Sequence, residues 1–347
     1  MRYKLLGRSG LRVSEMGLGT MIFGMEQGWG SGKEECRKIY EAFRVAGGNF
    51  IDTANTYGES ERLLGEFIAS DRESVVLATK YTGQTRIGDV NSSGNHRKSM
   101  VRSLEASLKE LKTDYIDIFW AHTWDYMTPV DELMRAFDDV VRQGKALYVG
   151  ISNAPGWFVA HANTLSDLRG WTPFIAMQIE YNLIDRTAER ELLPMAKALD
   201  IGVTTWAPLA AGWLTGKYRE ETRSEKSRLD YKFASAFVDR SERNSRIAAE
   251  VVRVAAEVAR PPAQVALNWI RGRNVIPLMG ARTLVQAKEN LGCLDFTLPQ
   301  EQVDRLDKIS RIDPGYPQNF LAMVKRFTFS EKHEQIDNHR PNWEPLP

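Results

Sequence analysis

Short apolar runs alternate along this chain with longer stretches in which apolar residues recur every three or four positions. The runs predict strands at Met16–Thr20, Asn49–Asp52, Ser74–Lys80, Tyr115–His122, Ala146–Ser152, Ile175–Glu180, Gly202–Trp206 and Val275–Ile276. Helical spacing predicts helices at Lys33–Ala46, Ser60–Ala69, Arg97–Leu111, Val130–Gln143, Pro155–Leu168, Thr187–Leu199, Asn244–Ala259 and Leu284–Leu291. In Arg97–Leu111 the residues Met100, Leu104, Leu108 and Leu111 fall on one face, and Gly47-Gly48 stops the helix that contains Cys36, Ile39, Tyr40 and Phe43. Ahead of this alternation, Tyr3–Leu6 and Leu11–Val13 flank a Gly7-Arg8-Ser9-Gly10 turn and read as a hairpin.

Strands that are apolar almost throughout are covered on both faces, and repeated strand–helix units with right-handed crossovers make a parallel sheet. Eight such units predict a closed (β/α)8 barrel, the TIM-barrel architecture. An open doubly wound sheet usually carries G-x-G-x-x-G after its first strand, and Gly17-Leu18-Gly19-Thr20-Met21-Ile22 does not match it. The expected layout is one domain, 1–347, with an N-terminal hairpin at 1–16, the barrel at 17–291, and a C-terminal helix and tail at 292–347. Two segments stand outside the repeat: a long charged loop after the seventh strand, Pro208–Ser241, and the Pro-rich tail Arg311–Pro347. Long loops in compact folds are usually functional or disordered.

Composition narrows the function classes. With 46 basic and 45 acidic residues among 347 the net charge is +1, which gives no basic field for nucleic acid or an anionic membrane. The only two cysteines, Cys36 and Cys293, lie far apart and form neither a metal-ligand pair nor a disulfide framework, so no metal is expected and a reducing cytoplasm fits best. Met1-Arg2-Tyr3-Lys4 lacks the apolar core of a signal peptide, and no stretch reaches the roughly 18 apolar residues of a spanning helix.

The chemistry gathers where strands end. In a barrel the C-terminal strand ends converge on one mouth. Here those ends carry Asp52 followed by Tyr57, then Lys80, His122, Ser152-Asn153, Gln178 and Trp206. Taken singly, each has an ordinary explanation: Asp52 and Tyr57 could belong to a helix-capping loop, Lys80 to the surface, His122 and Trp206 to core packing. Together they form an acid–base device. Free tyrosine titrates near 10, too high for efficient proton donation at neutral pH, and an adjacent ammonium lowers it. Asp52 would hold Lys80 charged and aimed, and His122 could orient a substrate oxygen.

The chain resembles the aldo-keto reductase superfamily from about Lys4 to Leu291. The resemblance rests on D-T-A-N-T-Y-G at 52–58, L-A-T-K at 77–80, Ala121-His122, G-I-S-N at 150–153, Q-I-E-Y-N at 178–182, W-A-P-L at 206–209, and G-A-R at 280–282 with Glu289-Asn290. It implies an NADP(H)-dependent carbonyl reductase that interconverts aldehydes or ketones and alcohols, with Tyr57 as general acid and Asp52, Lys80 and His122 completing the tetrad. It also implies a cofactor held by Gly19, Thr20, Met21, Asp52, Ser152, Asn153, Gln178, Trp206, Ala207, Pro208, Leu209, Gly212, Leu214, Lys217, Gly280, Arg282, Gln286, Glu289 and Asn290. The residue types suit those roles. Trp206 offers a stacking face, and Ser152, Asn153 and Gln178 offer amide-recognising groups. The Ala207–Tyr218 run offers backbone N–H groups and Lys217 to a pyrophosphate. Arg282 could fork onto a 2′-phosphate or lie idle on the surface.

Two branches compete. W-A-P-L-A-A-G-W-L-T-G-K-Y also resembles voltage-gated potassium channel β subunits, which share the fold but serve as partners of a channel. His122, where those subunits carry Asn, favours an enzyme, as does the expectation that no inactivating peptide precedes the barrel. H-T-W-D-Y-M-T-P and G-K-A-L-Y-V-G-I-S-N-A-P-G-W resemble the aryl-alcohol dehydrogenase branch and imply aromatic or bulky substrates. Phe23, Trp29, Tyr57, Tyr81, His122 and Trp124, with Tyr126 and the tail, are the expected substrate contacts. The expected partner is a small carbonyl or alcohol, with homo-oligomers possible.

Overall fold

The computed structural model describes residues 1–25, 28, 30–217, 239–330, 332 and 335. Eight parallel strands close a barrel in the order β10-β3-β4-β5-β6-β7-β8-β9. They are β3 (Gly17–Gly19), β4 (Phe50–Asp52), β5 (Val76–Tyr81), β6 (Ile116–Ala121), β7 (Ala146–Ser152), β8 (Phe174–Glu180), β9 (Gly202–Trp206) and β10 (Ile276–Met279). The (β/α)8 barrel and the hairpin are as the sequence predicts; the hairpin is β1 (Tyr3–Leu5) paired antiparallel with β2 (Arg12–Ser14).

Side chains alternate across each strand, so one set packs inside the barrel and the other against the helices. The inner set is a compact cluster of Phe50, Val76, Ala78, Ile118, Trp120, Ala176, Ile276 and Leu278. Gly150 is required there: a Cβ at this position would lie 2.3 Å from the Trp120 ring. Leu6 and Val13 of the hairpin join this cluster. Leu6 lies against Gly202 at the start of β9, and Gly7, at φ +54°, packs so closely that a Cβ would meet the Ile175 carbonyl oxygen at 2.3 Å. The hairpin therefore seals the N-terminal end of the barrel. The outer set forms the larger core with α1 (Lys33–Val45), α2 (Ser60–Phe67), α3 (Arg97–Leu111), α4 (Val130–Arg142) and α5 (Gly156–Arg169).

The structure corrects three elements of the sequence reading. Thr187–Leu199 is not one helix but a single 3-10 turn, Thr187–Glu189, followed by α6 (Leu192–Ala198). Pro194 has no N–H to donate and its ring collides with the carbonyl four residues back, so the helix restarts with proline in its first turn. Among the described residues between the last two barrel strands there are two α-helices, α7 (Glu242–Glu257) and α8 (Pro262–Arg271), where the pattern predicts one. Ala259 in a left-handed conformation ends the first, and Pro262 opens the second at the position where its missing donor costs nothing. The eighth strand spans Ile276–Met279, passing through Pro277, where the sequence predicts a strand at Val275–Ile276. Beyond α9 (Leu284–Leu291), α10 (Gln300–Ser310) packs on α7 through Arg305, which pairs with Glu250 and Glu257. Short helices Gln318–Met323 and Lys325–Phe329 continue the tail; the rest of it, apart from Lys332 and Gln335, and most of the long loop after β9 lie outside the described residues.

Leu6 is fully buried in the inner cluster. Leu6→Ala should lower the unfolding free energy by about 2–5 kcal/mol in urea titration. A loss below about 1 kcal/mol, the size of an average substitution, would show that the hairpin does not belong to the barrel core.

Candidate active site

Four strands present the central residues from their C-terminal ends. Asp52 ends β4, Lys80 is the penultimate residue of β5, His122 follows β6, and Gln178 lies in β8. Asp52 and Lys80 are at 2% and 0% exposure, where an unpaired charge would be prohibitive. They pair with each other: Lys80 Nζ donates to Asp52 Oδ2 and, at 2.9 Å, to the carbonyl oxygen of Thr53. Gln178 Nε2 donates to Asp52 Oδ1 at 3.0 Å, so both carboxylate oxygens are satisfied.

Tyr57 reaches this pair from the loop after β4. Lys80 Nζ lies 5.0 Å from the centroid of its ring. The phenol oxygen is 3.5 Å from His122 Nε2, with the two rings nearly perpendicular at 77°. Burial by itself would lower the Lys80 pKa, but the Asp52 carboxylate and the Tyr57 hydroxyl outweigh it and hold the ammonium above its ordinary value. Burial pushes the Asp52 carboxyl up, against the pull of Lys80 and Gln178. Burial, reinforced by the Lys80 ammonium, lowers His122 to about 3, so its imidazole is neutral at ordinary pH. The arrangement gives a phenol flanked by a fixed cation and an uncharged imidazole.

Around it, Asn153, held at φ 51°, donates through Nδ2 to the His122 carbonyl and to Ser152 Oγ, and its Oδ1 accepts from Trp206 Nε1 at 3.1 Å. The Trp206 ring is therefore locked to the same strand ends as His122. The loop that follows has left-handed backbone at Ala207, Ala210, Ala211 and Gly212. Asn182 Nδ2 holds the Ala207 carbonyl at 3.1 Å. Pro208 is buried, Leu209 and Gly212 are half-buried, and Lys217 is exposed. On the far side, Gly19 and Met21 are half-buried and Gly280 is exposed. The Arg282 N–H donates to Gln286 Oε1 and its carbonyl accepts from Ser31, while Asn290 Nδ2 braces the Gly280 carbonyl. Glu289 is exposed on the same helix.

Several expected contacts lie elsewhere. Tyr81 follows Lys80 on the strand and so points the opposite way: it is fully buried against Phe119 and Phe137, with its hydroxyl on the Asn95 carbonyl. Phe23 is 2% exposed and packs on Phe67 in the outer core. Leu214 is a core side chain, which leaves only its backbone for a ligand. Thr20 is fully buried, its hydroxyl bonded to the Asp52 carbonyl. Trp29 lies outside the described residues. Trp124 does sit beside the mouth, stacked on Phe158 at 4.7 Å and 4.2 Å from Tyr126. Sequence reasoning missed Asp125, which fixes this loop by accepting from Asn95, Met127 and Thr128; its carboxylate flanked by Trp124 and Tyr126 was the available signal.

Residues 15–311 match the Aldo/keto reductase family. Norsolorinic acid reductase of Aspergillus flavus is 35% identical over 333 residues, covering 91% of this chain and 83% of its own length. A probable aryl-alcohol dehydrogenase of Saccharomyces cerevisiae is 35% identical over 302 residues, with 84% and 92% covered. An aryl-alcohol dehydrogenase of Pestalotiopsis microspora is 35% identical over 337 residues, with 92% and 85% covered. With the closed barrel and this mouth, a match of that extent means that the chain belongs to the aldo/keto reductase family of oxidoreductases.

Proposed function

We propose that this protein reversibly reduces aldehydes or ketones to alcohols with NADP(H), and that its substrates are aromatic or bulky. The observation that carries the reading is the Tyr57 hydroxyl set between the Lys80 ammonium and the neutral His122 imidazole, above the buried Asp52. A phenol beside a fixed ammonium is a stronger acid than free tyrosine. Tyr57 Oη gives its proton to the carbonyl oxygen as that oxygen gains charge. His122 Nε2, 3.5 Å away, shares in positioning the same oxygen. The Lys80–Asp52 pair holds the charge that makes the phenol acidic, and reversal returns the proton to Tyr57. A bound nicotinamide supplies or takes up the hydride.

The free polar groups fit such a cofactor. Among the described residues, Gln178 Oε1 and the Ser152 hydroxyl hydrogen are uncommitted beside Trp206, an acceptor and a donor suited to a carboxamide next to a stacking face. Asn153 has both amide hydrogens engaged and serves that subsite by holding Ser152 and Trp206. Asp52, its two oxygens taken by Lys80 and Gln178, acts through them. The left-handed run at Ala207–Gly212, with Pro208 and Leu209 between and Lys217 beyond, is closed on itself by the Ala210 and Gly212 N–H groups on the Ala207 and Leu209 carbonyls, a compact turn with an exposed lysine at its end to meet a pyrophosphate. Gly19, Met21 and Gly280 border the opposite wall, and Arg282, Gln286, Glu289 and Asn290 form the adenosine end, where the Arg282 guanidinium is available to a 2′-phosphate.

The substrate side is aromatic. Trp124, with Tyr126 and Trp157 against it, makes a partly exposed ledge two residues beyond His122. The relatives named for aryl alcohols and norsolorinic acid agree with a flat aromatic carbonyl compound as substrate.

Tyr57→Phe should lower turnover about 10²–10⁴-fold while NADPH binding is retained; more than about a tenth of wild-type activity would contradict its role as proton donor. Loss of the guanidinium in Arg282→Ala should weaken NADPH about 10–100-fold and NADH by no more than about twofold, measured by fluorescence titration. Equal losses would remove the phosphate role. Because His122 stays neutral down to about pH 3, the pH–rate profile for carbonyl reduction should carry no histidine limb between about pH 5 and 8. A limb near pH 6.5 that vanishes in His122→Gln would show that the imidazole titrates and that the neutral form is wrong.

A further inference from the structure

Behind the site, the buried Thr20 hydroxyl belongs to a chain of three. Thr53 Oγ1 donates to Ser60 Oγ at 2.9 Å, Ser60 Oγ donates to Thr20 Oγ1 at 2.8 Å, and Thr20 Oγ1 donates to the Asp52 carbonyl at 3.0 Å. All three side chains are at 0% exposure. Each hydroxyl donates once along the chain, and the Asp52 carbonyl also receives the Thr20 backbone N–H. Buried side chain–side chain hydrogen bonds are the minority kind, and a satisfied run of them fixes the groups it joins.

What this run joins is specific. Thr53 and Ser60 are the two ends of the loop that carries Tyr57, and their hydroxyl bond closes that loop across its base. Within it the backbone makes two local turns, from the Tyr57 N–H to the Ala54 carbonyl and from the Ser60 N–H to the Tyr57 carbonyl, and one longer bond, from the Asn55 N–H to the Lys80 carbonyl at 3.1 Å, which ties the start of the loop to β5 and leaves the Tyr57 end to the hydroxyl staple. Thr53 also accepts Lys80 Nζ on its carbonyl, so one residue touches both the cation and the staple of the phenol loop. Thr20 ties the same staple to the end of β3 and to the backbone of Asp52.

We propose that Ser60 is a positioning residue for the proton donor: its hydroxyl sets the distance between the Tyr57 phenol and the Lys80 ammonium, and through it the acidity of Tyr57. The inference rests on the reading of Tyr57 as the proton donor. The charged and titratable groups around that phenol are Lys80 from β5, with Asp52 from β4 behind it, and His122 after β6, which is neutral. Lys80 is therefore the cation whose approach governs the phenol. Carbonyl reduction needs Tyr57 protonated and declines as pH rises through its pKa. A loop that drifts from Lys80 loses part of the lowering, so the limb moves to higher pH and the donor weakens at neutral pH.

The test compares Ser60→Ala, Ser60→Thr and Thr53→Val with wild type and Tyr57→Phe, measuring NADPH binding, kcat and the basic limb of the kcat profile. Ser60→Ala should lower kcat about tenfold and raise the limb by about one pH unit, with the NADPH Kd within about twofold. Thr53→Val, which removes the other end of the same bond, should shift the limb the same way. Ser60→Thr keeps a hydroxyl and should restore the wild-type limb. Wild-type kcat and limb in both Ser60→Ala and Thr53→Val would overturn the proposal, as would a fall in kcat with an unmoved limb. If Ser60→Ala does not fold, Thr53→Val decides on the same criteria. Full activity in Tyr57→Phe is a separate outcome: it would remove the proton-donor reading itself, and this inference with it.

Discussion

Everything at the mouth of this barrel depends on one buried ion pair. Moving an ammonium and a carboxylate out of water costs several kcal/mol per ion even after relaxation. Lys80 and Asp52 are tolerated because nothing about them is left unsatisfied: the carboxylate accepts from Lys80 on one oxygen and Gln178 on the other, and the ammonium has a second acceptor in the Thr53 carbonyl. Those partners come from β4, the loop that follows it, β5 and β8, which only a closed barrel brings to one point. Closure of the sheet is thus a condition for the pair, and the pair is a condition for the chemistry. Such an arrangement is fragile to truncation, since removing either partner leaves an uncompensated buried charge worth about 3–5 kcal/mol. Substitutions at Lys80 or Asp52 mix stability with activity, whereas Tyr57 and His122 stand above the pair and report on chemistry more cleanly.

The ammonium at the centre of this pair acts on its neighbours with opposite sign. It favours the ionised phenol of Tyr57 and disfavours the protonated imidazole of His122, which burial already opposes. A single fixed charge thereby separates an acid from a neutral partner at the same pH. In water such a charge would be screened; held without exposure among strand ends, it is screened much less over the few ångströms to its neighbours.

Much of this was legible in the sequence because the barrel's rules are periodic. The apolar runs marked the strands, and the polar residue ending each run marked the mouth. The same periodicity carried information that the sequence reading left unused. If Lys80 faces the interior, Tyr81 must face the helices, and Asn95 and the Phe119–Phe137 pair receive it there. Pro194 and the Pro261-Pro262 pair likewise announced a broken helix and a second helix start. The hydroxyl chain was not legible. Thr20 and Ser60 are forty residues apart, serine and threonine open helices and end strands everywhere, and only the closure of β3 against β4 makes them neighbours. The burial of Phe23 on Phe67 was not legible for a related reason, since an exposed loop aromatic and a buried one have the same sequence.

Backbone conformation separates the two ends of the barrel in the same way. Left-handed residues other than glycine occur at both ends, but for different reasons. Lys112, Asp200, Ala259 and Asn274 lie at or just beyond the ends of helices, where a left-handed residue is the ordinary way to close the last turn. Thr82, Tyr126, Asn153, Ala207, Ala210 and Ala211 follow strands instead, at the mouth, where no helix is being ended. Each costs of the order of 1–3 kcal/mol and persists only where its surroundings fix it. Here the fixing groups can be named: Asp125 and Asn95 for the Tyr126 loop, His122 and Ser152 for Asn153, and Asn182 for Ala207. These anchors are polar groups bonded to loop backbone or to one another. Strain concentrated on one face, held by dedicated side chains, is what a scaffold shows when the N-terminal face is selected for stability and the C-terminal face for where its N–H groups and rings must point.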